Sequence, residues 1–513
     1  MILRHLGKLL VGALLFEATI LASSKASAQN NEPAISISSR QYQELVQRLE
    51  ATENELQALR NQTTPQLSPP NDATTWTATF DQQSEIRRLP SIESRVSQLE
   101  EAAKQAKSPK YPSVNLTGFF HYDTGYFSQD DASRMTLGDI QDGIGFRRAR
   151  LAATGSVAAN MNYILEMDFG VGGRPSFMDV WGEVTMLPVL GTVRIGHFRQ
   201  PFSMDALTSI KSLTFLERSL PFQALLPFRR IGVMAYDNSN DLNTTWAYSV
   251  YRTDSRNYTE LGDTLYATNL TDNGDISAST RLTHLLWYDE PADGRYMLHI
   301  GGSYNYSVLG VDPTNNTRTY RANAIPEFFV GDPTAAGNAN LQRTPVFVDT
   351  GAIAAYDFHL LGVELAGVYG PAYFQAEYMQ TYVNRTGGAS SLAFDGAYAQ
   401  VGYFLTGEHR AYNRKGGVFD RVVPFEDFFA VDRGFCGWGA WELAFRWSYI
   451  DLNDDNIAGG ELTNLTTGLN WYWNPHAKLQ FNWIHAMLSD RGTAMPPGRG
   501  DTDIYALRFQ VDF

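Results

Sequence analysis

The sequence predicts an all-β fold, a closed antiparallel transmembrane β-barrel of about 16 strands, preceded by a short α-helical coiled-coil segment. Three observations carry this expectation. The chain ends in an alternating strand, with Tyr505, Leu507, Phe509, Val511 and Phe513 on one face and Ala506, Arg508, Gln510 and Asp512 on the other. The N-terminus reads as an export signal. Between the two, no stretch offers the roughly 20 uninterrupted apolar residues of a membrane helix, although 13% of the chain is aromatic.

Period-2 alternation means that one side of a strand meets something apolar and the other meets water. In a soluble β-sandwich, the alternative fold, an apolar C-terminal strand makes a poor edge. In a closed membrane barrel lipid wets the apolar side, the polar side faces the lumen, and no edge remains. The terminal Phe513 also resembles the signal read by outer-membrane assembly machinery, so an outer-membrane location is expected.

The export signal is assigned to residues 1–28. Arg4, His5 and Lys8 form its basic start, Leu9 to Leu21 are mostly apolar apart from Glu17, and Ala26-Ser27-Ala28 is a small-residue cleavage site. Residues 29–112 form the expected periplasmic coiled-coil and linker. Tyr42, Leu45, Leu49, Leu56 and Leu59 follow a–d spacing, and Leu89, Ile92, Val96, Leu99, Ala103 and Ala106 repeat it after a Thr-, Pro- and Asn-rich linker. A parallel coiled coil would favour an oligomer; a solvated monomeric helix is the alternative for segments this short.

The barrel is expected over 113–513, where alternating runs such as Leu116–Tyr122 and Trp441–Tyr449 are separated by turns rich in Asp, Asn and Gly. Roughly 400 residues at about 25 per strand and connection give the strand number. The join 474–477 is short, as periplasmic turns are, while segments around 254–275 and 315–346 are long and polar, as extracellular loops are. Trp441, Trp447, Tyr449, Trp471, Trp473 and Trp483 read as a lipid-facing interface belt. A single cysteine, Cys436, excludes an intramolecular disulfide. A formal net charge of −14 argues against nucleic-acid binding. It does not set ion selectivity, because a pore responds to the charges at its narrowest part.

Several segments resemble one known family in order along the chain. They are Phe146-Arg147-Arg148-Ala149-Arg150-Leu151 with Gly155, then 163–169, 195–203, 213–220, 229–232 and 398–408. These are similar to the phosphate-selective porin O and P family, and the likeness is weakest from about 238 to 396. The resemblance implies a homotrimer of 16-stranded barrels, an inward loop that narrows each pore, and arginines along the path. Inorganic phosphate or other small anions would be the permeants, beside outer-membrane lipid as a partner.

Arginine suits phosphate because its planar fork offers paired donors and stays charged. Strand alternation places Arg148, Arg150, Arg446 and Arg508 on the luminal face. Lys478 falls there too, near the turn, where the periplasmic rim is an alternative. Arg147 faces outward unless a bulge shifts the register. The stretch 201–230 reads as the inward loop and contributes Lys211, Arg218, Arg229 and Arg230, with Asp205 and Glu217 as its nearby acids. For any one of these cations a salt bridge with a luminal carboxylate is the competing role, and Glu166, Asp168 and Glu183 are candidates for it. No P-loop, His-Glu-x-x-His or Gly-x-Ser-x-Gly motif is present, so neither a cofactor, a metal nor an enzyme activity is expected. The expected function is passive diffusion of small anions. A weakly selective diffusion pore and a structural barrel tethering the membrane through its coiled coil are the alternatives.

Overall fold

The computed structural model describes residues 111–170, 175–253, 275–312, 316–331, 344–428, 437–493 and 497–513. The expected signal peptide, all but the last two residues of the coiled-coil and linker segment, most of the 254–275 loop and Cys436 lie outside them. Sixteen long strands form one antiparallel sheet. They are β1 (Asn115–Gln129), β2 (Gly143–Ala158), β3 (Met161–Asp168), β4 (Ser176–Leu187), β5 (Gly191–Arg199), β6 (Arg229–Asn238), β7 (Thr244–Tyr251) and β8 (Ile276–Tyr288). Then come β9 (Tyr296–Val308), β10 (Ile353–Tyr369), β11 (Ala372–Arg385), β12 (Leu392–Phe404), β13 (Ala440–Asp454), β14 (Ile457–Asn474), β15 (Ala477–Arg491) and β16 (Gly498–Asp512). Pairing of β1 with β16, from Phe119↔Asp512 to Gln129↔Thr502, closes the barrel and removes both edges.

Alternation sorts the side chains as lipid and lumen require. In β16 Tyr505 and Leu507 are exposed on the outside while Ala506, Arg508, Gln510 and Asp512 are buried inside. Leu443, Phe445 and Trp447 repeat the outward pattern in β13. Between β1 and β2 the register shifts: His121 lies opposite Arg148 and Tyr122 opposite Phe146, which leaves Arg147 as the extra residue of a bulge.

The lumen departs from the expected polar face in the half away from the short turns. There Leu462, Ile484, Leu488 and Ile504 point inward and join one apolar cluster. Two connections fill that space. The β5–β6 loop (200–228) carries α1 (Met204–Leu207) and α2 (Leu220–Leu225), and Pro221 opens α2, where its missing N–H costs nothing. Its Leu216, Phe222 and Leu226 pack into the cluster, each contributing about 1.5–3 kcal/mol of burial. The β9–β10 loop, expected as a polar external segment, turns Phe328 and Phe347 into the same cluster. Phe328 and Val330 occupy the notches left by Gly125 and Gly143, which are register partners in β1 and β2.

A third connection enters from the other end. Between β12 and β13, Tyr412–Asn413 pairs with Val418–Phe419 as a small hairpin. Val418, Phe419 and Val422 pack on inward-facing Tyr373, Phe404 and Tyr472. Short turns join β2–β3, β4–β5, β6–β7, β10–β11 and β14–β15 at this end, which the topology of such barrels makes periplasmic.

Candidate permeation site

The β5–β6 loop lies across the lumen because the barrel wall supplies donors for its backbone carbonyls. Lys478 Nζ donates to Leu213 O at 2.8 Å, Asn470 Nδ2 to Thr214 O at 2.8 Å and Gln510 Nε2 to Lys211 O at 3.0 Å. Arg410, from the β12–β13 connection, donates to Ser212 O, and Arg508 to Leu216 O. A loop inside a barrel would otherwise bury unsatisfied carbonyls, at about 1–3 kcal/mol each. Lys478 is thus a buried anchor inside the lumen rather than a residue of the rim.

Glu217, on that loop, is the focus of the site. Arg148 donates to both its oxygens, at 2.9 and 2.7 Å. Arg508 reaches Glu217 Oε1 at 2.9 Å while also holding Asp123 through two bonds of 2.7 and 2.6 Å. Arg147 Nε lies 3.1 Å from Glu217 Oε1. The β1–β2 bulge therefore swings Arg147 inward, the condition on which its outward position depended. Arg446 donates to Glu217 O at 3.0 Å and to the Glu327 carboxylate at 2.6 Å. Burial alone would push the Glu217 carboxyl up, but Arg147, Arg148 and Arg508 outweigh it and hold that carboxyl well below the usual carboxylate range.

The other expected residues sit apart. Arg150 donates to Asp168 at 2.8 Å and Arg229 to Asp179 at 3.0 Å, and both approach Glu166, at 3.8 and 4.0 Å. Arg218 braces the loop from within, donating to Asp205 O and Thr208 O at 2.8 Å each, between the rings of Phe222 and Phe228. Arg230 donates to Thr253 O at 3.1 Å and Arg229 O at 2.6 Å. Lys211 lies 3.9 Å from Asp512 at the periplasmic end. Among the described residues no group of three or more His, Cys, Asp or Glu side chains is placed to hold a metal ion.

Residues 114–513 match the family model described as Phosphate-selective porin O and P. The chain belongs to that family. Relatives of this porin include Porin O of Pseudomonas aeruginosa, 25% identical over 405 residues that cover 75% of this chain and 86% of the relative. An uncharacterized protein of Caulobacter vibrioides is 28% identical over 434 residues, 80% of each chain. Among solved structures, the anion-selective porin from Comamonas acidovorans aligns with a TM-score of 0.45 at 12% identity, covering 78% of this chain and 99% of that one. The trimer form of OmpT from Vibrio cholerae aligns with a TM-score of 0.45 at 10% identity, over 79% of this chain and 100% of that one.

Sequence reasoning passed over four cations of this porin's lumen. Arg410 lies in a connection without periodicity. Arg199 is the last residue of its strand, where alternation no longer assigns a face, and its Nη1 donates to the carbonyls of Ala206, Leu207 and Thr208. Arg281 pairs with Glu364 at 2.7 Å, and its place between Thr280 and Leu282 was a usable alternation signal. Arg194 stacks 3.7 Å over the Trp181 ring and bonds Glu183.

Proposed function

We propose that this outer-membrane porin is an anion-preferring pore for small oxyanions such as inorganic phosphate, and that it works as a homotrimer. The observation that carries the reading is the charge balance around the inward loop. Arg147, Arg148 and Arg508 converge on Glu217, with Asp123 beside Arg508 as the second carboxylate, while Arg410 and Lys478 donate to loop carbonyls and make no salt bridge among the described residues. A surplus of fixed donors at the narrowest part lowers the barrier for anions and raises it for cations. Arg148, Arg446 and Arg508 both shape this constriction and supply its field. Arg150, Arg229, Arg230, Lys211 and Arg218 extend the positive potential above and below it. Residues 1–28 act as a cleaved export signal, and the heptads of 29–112 as a periplasmic arm that favours the trimer.

A weakly selective diffusion pore is the second reading, favoured by the salt bridges that Arg150, Arg229 and Arg446 make with Asp168, Asp179 and Glu327. Single-channel current in a planar bilayer under a potassium chloride gradient separates the two. An anion-favouring reversal potential, with chloride current blocked by added phosphate, supports the first. A potential near zero without block leaves the second.

A further inference from the structure

Below the inward loop and above the periplasmic hairpin lies a luminal chamber of about 390 Å³. Its roof is the start of the β5–β6 loop with Arg199 and Leu207, and its floor is the hairpin tip with Lys415, Gly416 and Val418. The barrel wall adds Trp181, Arg194, Met234 and Arg281. The hairpin is held in place rather than loose. Arg281 donates to Gly416 O at 3.2 Å and Gly417 O at 2.7 Å. A side chain at Gly417, whose φ is +62°, would meet the hydroxyls of Thr283 and Thr245 at 2.8 and 3.0 Å.

Charge in the chamber is mostly cancelled in pairs: Arg194 with Glu183, Arg281 with Glu364, and Asp179 with Arg229. Two cations escape this pairing. Lys415 is exposed on the hairpin turn and has no salt bridge or hydrogen bond among the described residues. Arg199 donates to carbonyls only, although Asp179 lines the same space. Against them stands Asp237, a lining acid without a salt bridge among the described residues. The remaining surplus is about one positive charge.

The volume is in the range of about 300–1,000 Å³ typical of sites for organic ligands, much more than a bare tetrahedral oxyanion fills. Leu207, Met234, Val418 and the Trp181 ring give it apolar walls. We propose that this chamber is a second binding station, selective for small organic monoanions with an apolar body. Lys415 holds the carboxylate, and the body lies against Leu207, Met234 and Val418. The surplus of one charge matches a monoanion and leaves a dianion under-neutralised. The proposal rests on the anion-preferring reading of the pore.

The test uses the full-length porin in planar bilayers, with benzoate, acetate and inorganic phosphate added in turn to a chloride current. Burial of the phenyl ring should make benzoate block at concentrations about tenfold lower than acetate. Lys415→Gln should weaken benzoate block about fivefold, and Lys415→Arg should retain it. Because Lys415 is exposed on a turn, neither substitution disturbs the barrel. Equal block by benzoate and acetate, benzoate block unchanged in Lys415→Gln, or phosphate block weakened by that substitution as much as benzoate block, would each overturn the proposal. A wild-type reversal potential that does not favour anions would instead overturn the underlying reading, so the two failures are distinct.

Discussion

Arg148 and Glu217 meet side-on, through paired bonds of 2.9 and 2.7 Å, across 69 residues of chain. The pair ties the inward loop to β2 at the point where a bulge also delivers Arg147. Removing the acid alone takes that carboxylate from Arg147 and Arg148 and leaves Arg508 with Asp123. Glu217→Gln is therefore expected to lower barrel stability by about 3–5 kcal/mol, the cost of breaking a buried pair from one side. It should also raise anion preference. Thermal unfolding in detergent and reversal potentials in bilayers measure the two effects.

Acid should loosen the same contact only late. The folded-state pKa of Glu217 is depressed, so its contribution to stability is fully present above the unfolded value of about 4.3 and is lost as pH falls through the lower folded value. The contribution of Glu217 to stability should be flat from pH 7 to about 5. The difference between wild type and Glu217→Gln should shrink below that range, as unfolding midpoints at stepped pH will show.

Gly125 admits the Phe328 ring, whose nearest carbon lies 2.1 Å from where a Cβ would stand. Gly125→Val should expel the β9–β10 loop from the lumen and raise single-channel conductance, while barrel assembly persists. Phe328→Ala should raise conductance by a different route, because it empties the notch without pushing on the strand. Unchanged conductance in both variants would mean that the loop does not limit the current.

Arg446 and Glu327 are both buried and 2.6 Å apart. Either Arg446→Ala or Glu327→Gln alone leaves a buried partner unmatched and should cost about 3–5 kcal/mol. The double variant should cost clearly less than the sum, and a double-mutant cycle on thermal unfolding reads the coupling.

Deleting residues 29–110 should leave a conducting barrel and reduce the trimer fraction in detergent, as measured by light scattering. Intact trimers would show that the barrels associate without the arm, and envelope defects with normal conductance would point to tethering.

The barrel was legible because each long strand repeats a local rule. Tyr505 to Phe513 alternates at every residue, so its lipid and luminal faces can be read without knowing its neighbours. The luminal assignments of Arg148, Arg446 and Arg508 follow from the same rule. Arg147 broke it, because a bulge depends on the partner strand's register and leaves no trace in its own sequence. The β9–β10 loop misled for a related reason: composition suggested a polar external segment, but Phe328 and Val330 are drawn inward by the paired notches at Gly125 and Gly143.

By itself the sequence determined the fold class, the family, the outward apolar band and the identity of the inward loop, since all of these rest on periodicity or on motifs of adjacent residues. Only the tertiary structure decided which charges cancel. Glu217 with Arg147, Arg148 and Arg508, or Arg446 with Glu327, come from segments 69 to 291 residues apart. The field along the lumen depends on those pairings because Coulomb interactions fall with distance in space and take no account of separation along the chain.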